Sequence, residues 1–308
     1  MALILKLKSL TQFSKTMPIA AAIKLARPNL SASSVRTYTS ILGSLYKKVF
    51  GLGEPDLHKF TDSKQILDFL KDVPAARRKT TLSALVVLTG LDAYRTQMGK
   101  DCVTFADDVS KQVMSDKQRA SDISPEAVKA VFDNLEGQAA LIYKKKTMTV
   151  SDLLQLQDYV LLALLGGFYI APRRSMDFTQ FKIRDIDRAT DNYLDKSMLV
   201  FNSYKTASCY GKQEVACPKE LLAILKKWVK VNPTPYLFFD SQLKQLTSVK
   251  ITQKLNRVFG GRAISVNQLR HTFLTSKFAD YTKEQKEVAK TMTEMGSSPA
   301  VLNQYVKF

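Results

Sequence analysis

The run over residues 159–170 (YVLLALLGGFYI) constrains this chain more than any other stretch. It is too short to cross a bilayer, which takes about 20 apolar residues. Apolar on all sides, it reads as a buried helix, and Pro172 ends it because proline lacks the N–H that a further turn requires.

The remaining periodicity is helical in both halves. After Asn29, Ser31, Ser33 and Ser34, which suit an N-cap, Val35, Tyr38, Ile41, Leu42, Leu45, Tyr46 and Val49 recur at helical spacing over 29–50. Further helices are predicted at 62–72, 75–97 and about 105–118. The polar stretch 115–124, followed by Pro125, reads as an interdomain linker. Beyond it, helices are predicted at 125–144, 150–169, 218–231, 248–259, 265–279 and 283–295, with a short one about Tyr305. A strand-rich patch lies between, at 182–217, with Met198-Leu199-Val200-Phe201 and Glu214-Val215-Ala216 as strands. The expected division is a basic N-terminal arm (1–28), a helical domain (29–120) and a second domain (121–308).

A chain of 308 residues suits about two domains, and its net charge of +18 points to a polyanionic partner, above all nucleic acid. The 46 basic residues are spread along the chain, so folded basic surfaces are expected. The acid-poor N-terminus fits either an organellar transit peptide or an arm lying on DNA, and the arm is the preferred reading. Cys102, Cys209 and Cys217 with His58 and His271 supply no conventional zinc site, so no metal is expected. The odd cysteine count and lack of a secretory leader fit a reducing compartment, and all three cysteines are read as small hydrophobes.

Four residues in the second half stand in settings that belong together. Arg174 lies in Ala171-Pro172-Arg173-Arg174-Ser175-Met176-Asp177, just after the apolar helix. Lys205 sits in Tyr204-Lys205-Thr206, in a hairpin-like stretch. Arg270 belongs to Asn267-Gln268-Leu269-Arg270-His271-Thr272-Phe273, and Tyr305 follows Met295-Gly296-Ser297-Ser298. The set resembles the catalytic domain of the tyrosine recombinase (integrase) family over about residues 125–308. Over 1–120 the resemblance rests on size and helicity. It implies a mainly α fold with a small antiparallel β-sheet. A helical core-binding domain and a catalytic domain would form a C-shaped clamp on DNA.

The resemblance also implies roles. Arg174 and Arg270 would hold the phosphate, each guanidinium offering a planar fork of donors as charge grows in the transition state. The register of Asp177, Phe178, Phe181 and Asp185-Ile186-Asp187 selects Arg174 over Arg173, which is expected at the DNA backbone. Lys205 would protonate the departing 5′ oxygen, with Lys212 the competing choice. Tyr305 would be the nucleophile, forming a 3′-phosphotyrosyl link without metal, ATP or other cofactor.

Two positions depart from the family. Asn267 stands where it has His, and can donate a hydrogen bond but not act as a base. Ser297 stands where it has His or Trp, and retains one donor. His271, immediately after Arg270, is expected to point a different way from residue 267 on a helix, and is read as supporting or packing. Arg36, Lys47, Lys48, Arg77, Arg78 and Lys79 are expected to meet phosphates, giving affinity without sequence choice.

The function so implied is site-specific recombination or integration for a virus or other mobile element. A homo-tetramer would act on paired sites in double-stranded DNA inside the cell, in nucleus or cytoplasm according to host, with no membrane involved. Two alternatives stand beside it: a phosphotyrosine-using relaxing or end-resolving enzyme, and a DNA-binding protein of the same fold with impaired cleavage.

Overall fold

The computed structural model describes residues 17–302 and Val306. The chain divides into two compact units, Met1–Val113 and Met114–Phe308, a few residues before the expected boundary at 120/121.

The first unit is helical: α1 (Ile19–Ala26), α2 (Ala32–Phe50), a 3-10 turn (Leu57–Thr61), α3 (Ser63–Leu70), α4 (Ala75–Thr89) and α5 (Asp92–Ser110). Ser31 caps α2 by accepting from the Ser34 N–H at 3.2 Å, and Asp62 caps α3 from Gln65 at 3.0 Å. The helix expected over 75–97 is two, because Gly90 adopts a left-handed conformation (φ +71°) and closes α4. The expected arm is corrected too. Ile19, Ala22 and Ile23 are buried in the core with Leu42, Phe60 and Leu85, so residues 19–26 are a core helix. The arm's first sixteen residues lie outside the described residues. Tyr94 closes this core by donating its hydroxyl to the Phe60 carbonyl at 2.8 Å.

The second unit begins with α6 (Asp116–Ala120), α7 (Pro125–Ile142) and α8 (Val150–Leu165). A capping box between Thr149 and Asp152 starts α8, and the Lys145 ion pair, helped by the Thr149 hydrogen bonds, holds the Asp152 carboxyl down to about 2. From Leu156 to Leu165 every residue of α8 is buried, as its sequence requires. Its polar members are satisfied: Gln157 exchanges two hydrogen bonds with the Phe239 backbone, and Asp158 meets Lys254 at 2.9 Å and Arg257 at 2.5 Å.

Then come α9 (Ser175–Thr179), β1 (Phe181–Lys182), β2 (Asn192–Asp195), β3 (Met198–Phe201), α10 (Ala207–Tyr210) and β4 (Gln213–Ala216). The sheet runs in the order β1-β2-β3-β4. Strands β2 to β4 form the expected antiparallel sheet, and the short β1 joins parallel to β2, making it mixed. The unit continues through α11 (Lys219–Val231), α12 (Ser248–Val258), α13 (Val266–Glu294) and a 3-10 turn (Pro299–Val301). Instead of two helices at 265–279 and 283–295, α13 is one; nothing between 279 and 283 is a proline or glycine that would stop it.

Among the described residues no helix is long and apolar enough to cross a membrane. Cys217 is buried, and burial pushes its thiol up to about 11. Cys102 and Cys209 are exposed, so of the three cysteines read as small hydrophobes only Cys217 packs into the core.

Candidate nucleic-acid cleft

The cleft begins where α8 ends. Gly166 and Gly167 turn the chain, and Gly167 has φ +83°, a conformation that side chains disfavour. A Cβ on Gly167 would lie 2.6 Å from the Phe273 ring of α13. The glycine therefore lets α13 seat its Phe273, one turn beyond Arg270, against the end of α8. The chain then runs through Pro172 to Arg174, the N-cap residue of α9. Arg174 and Arg270, ninety-six positions apart in sequence by their numbering, meet in one cleft of about 340 Å³ with Asp177, Tyr204, Thr206, Tyr210 and Gln213.

Asp177 is the floor of this arrangement. Its side chain is only 3% exposed and takes a 2.9 Å bond from Arg173 Nε. Its other oxygen, Oδ1, has no hydrogen-bond partner among the described residues. Burial pushes the carboxyl up, against the opposing pull of Arg173, Arg174 and Arg270. The backbone around it is tied down by buried Asn192, which donates to the Asp177 carbonyl at 2.8 Å and the Ser203 carbonyl at 2.7 Å. One asparagine thus links the Arg174 turn to the turn that carries Lys205.

Arg173 lines the same cleft, but its guanidinium is already engaged. Besides Asp177 it donates to Gln213 Oε1 at 2.9 Å and stacks 3.9 Å over the Phe201 ring. The expectation that it meets the DNA backbone does not fit a guanidinium so occupied. Arg78 is similar: it forms a forked pair with buried Asp101 at 2.8 and 2.7 Å and donates to the Lys71 carbonyl. Lys79 lies over the Phe105 ring, whereas Arg36, Lys47, Lys48 and Arg77 are exposed.

Lys205 is exposed on the turn between Tyr204 and Thr206, both of which line the cleft, but does not itself line it. Tyr204 fixes that loop by donating to the Gly211 carbonyl at 2.6 Å. The competing Lys212 is paired with Glu214 at 2.6 Å. Asn267 is exposed in the first turn of α13 and lines no part of this cleft. His271 lines a different one, of about 210 Å³, with Asp122, Gln268 and Thr272. The expectation that it points away from residue 267 was wrong: both lie in α13 four positions apart, which stacks them on one side.

Ser297 is not brought to the arginines. Gly296 (φ +70°) ends α13 in a Schellman motif, with Ser297 N–H to the Met292 carbonyl and Gly296 N–H to that of Thr293. Glu294 is twenty-four residues beyond Arg270, so the helix end lies about 36 Å from it along the axis. Tyr305 lies outside the described residues.

Sequence reasoning missed Asn192, Tyr210 and Gln213. The sequence reading put Arg173 at the DNA backbone and so missed its pair with Asp177, made from the position before the N-cap of α9. Asn192 carried no signal; its role exists only once two distant turns meet.

No protein-family model matches the sequence, and no curated protein sequence does. Several solved structures align with most of this chain at low sequence identity. A lambda integrase (residues 75–356) dimer bound to a COC′ core site is 16% identical with a TM-score of 0.48, covering 86% of this chain and 92% of that one. A lambda integrase tetramer bound to a Holliday junction is 12% identical with a TM-score of 0.44, covering 86% and 71%. XerA recombinase is 14% identical with a TM-score of 0.36, covering 85% and 84%.

Proposed function

We propose that the chain breaks and rejoins DNA strands through a 3′-phosphotyrosyl link at Tyr305. The observation that carries this reading is the convergence of Arg174 and Arg270 on one cleft over a buried carboxylate. Two guanidiniums around one opening suit a phosphodiester, whose two non-bridging oxygens each accept a fork of donors. Asp177, already engaged by Arg173, holds the arginine turn from behind without neutralising the cleft.

In the reaction the Tyr305 hydroxyl releases its proton to solvent as its oxygen attacks phosphorus, the bond to the 5′ oxygen breaks, and that oxygen takes a proton from Lys205. Reversal by a different 5′ hydroxyl rejoins the strands, with the bond energy kept in the phosphotyrosine. Arg36, Lys47, Lys48 and Arg77 would supply phosphate contacts. A homo-tetramer on paired sites, for a virus or mobile element, is the wider setting of this proposal.

A second reading, DNA binding without cleavage, is favoured by one observation: Lys205 and Asn267 lie outside the cleft lining. Covalent trapping separates the two. The chain and its Tyr305→Phe variant are incubated with nicked suicide duplexes without metal, and products are resolved under denaturing conditions. A Tyr305-dependent adduct is expected. DNA that is bound but never linked would support the second reading.

A further inference from the structure

Helix α13 outruns the core that seats it. Its first turn buries Val266, Gln268 and Leu269, yet from Arg270 to Thr291 no side chain is buried. That stretch is not uniformly polar. Leu274, Phe278, Tyr281, Val288, Met292 and Met295 follow alternating steps of four and three, with Gln285 as the single polar member. Leu274, Phe278, Tyr281 and Met295 are 43% to 62% exposed, Val288 is half-buried, and Met292 is already buried within its own chain. A repeat of 3.5 residues sustained over three heptads is the seam of two helices wound together.

Charge selects the partner. The chain carries +18, so most of its surface repels a second copy. Along 277–294, however, Lys277, Lys283, Lys286 and Lys290 are balanced by Asp280, Glu284, Glu287 and Glu294, a net charge of zero. This segment is therefore poorly suited to phosphates and well suited to a copy of itself, in which both signs are equally present.

We propose that residues 274–295 of α13 pair with the same residues of a second copy of the chain, forming a two-stranded coiled coil that buries the seam. Gln285 is the polar seam residue that fixes register at some cost in affinity. The pairing needs no DNA and does not rest on the strand-transfer reading.

Sedimentation equilibrium of the full chain, without DNA and at a salt concentration that screens surface charge, tests it. The wild type is expected to dimerise. Phe278→Glu combined with Val288→Glu should weaken the dimer at least about tenfold, by placing charge in the seam, with helical circular dichroism retained. Should that variant fail to fold, Gln285→Leu carries the test and should tighten the dimer about tenfold. A wild type and Gln285→Leu variant that both stay monomeric, as when α13 bends back onto its own unit, would overturn the proposal. So would a dimer that neither change affects.

Discussion

Adjacent arginines have opposite duties here. Both line the cleft with Arg270, but Arg173 is also bonded to Asp177 and Gln213 and stacked on Phe201. Substitution should therefore separate them. Arg174→Ala and Arg270→Ala are expected to reduce covalent adduct formation by about 10²–10³, the scale of losing one transition-state donor, with DNA binding and thermal midpoint little changed. Arg173→Ala should instead destabilise the fold by about 3–5 kcal/mol, because it leaves the buried Asp177 without its partner. Denaturant melts run beside the trapping assay check both. A fully stable Arg173→Ala variant would show that the Asp177 pair is dispensable to the fold.

At the scale of elements, the junction between α8 and α13 decides whether the two arginines meet. Gly167 has φ +83°, and an added methyl would lie 2.6 Å from the Phe273 ring. Gly167→Ala combines backbone strain with that overlap and should cost about 1–3 kcal/mol. Adduct formation should fall further than stability alone predicts, since Phe273 sits one turn from Arg270. Gly43, inside α2, is the matched control: nothing lies within 4 Å of a Cβ there. Gly43→Ala is expected to stabilise by about 0.5–1 kcal/mol through helix propensity. The two melting shifts, of opposite sign, are read in one thermal scan each.

Over the whole molecule the cores are separate. One surrounds Leu42, Phe60 and Leu85 in the first unit; the other surrounds α8, Trp228 and Phe239 in the second, with no residue in common. Separate cores unfold as separate cooperative units. Scanning calorimetry should resolve two transitions, and Gly43→Ala should move only one while Gly167→Ala moves only the other. A single sharp transition shifted by both would mean that the units unfold as one.

The sequence by itself determined the elements whose cause is local. The apolar run over 159–170 dictated a buried α8, although the helix stops at Leu165 with Gly166 as its C-cap rather than at Pro172, and the β-branched and aromatic residues at 198–201 dictated a strand. It also put Arg174 and Arg270 in one set, through the resemblance carried by their flanking residues. Local signals failed where continuity and competition decide. Gly90 divided what periodicity had joined, and the lack of a breaker between 279 and 283 joined what periodicity had divided. Only the tertiary structure decided which guanidinium is occupied, that Asn192 ties two turns together, and that Ser297 is carried away from the cleft. The reason is physical: a side chain's duty depends on which partners surround it, and those partners come from elements tens of residues apart that packing alone brings together.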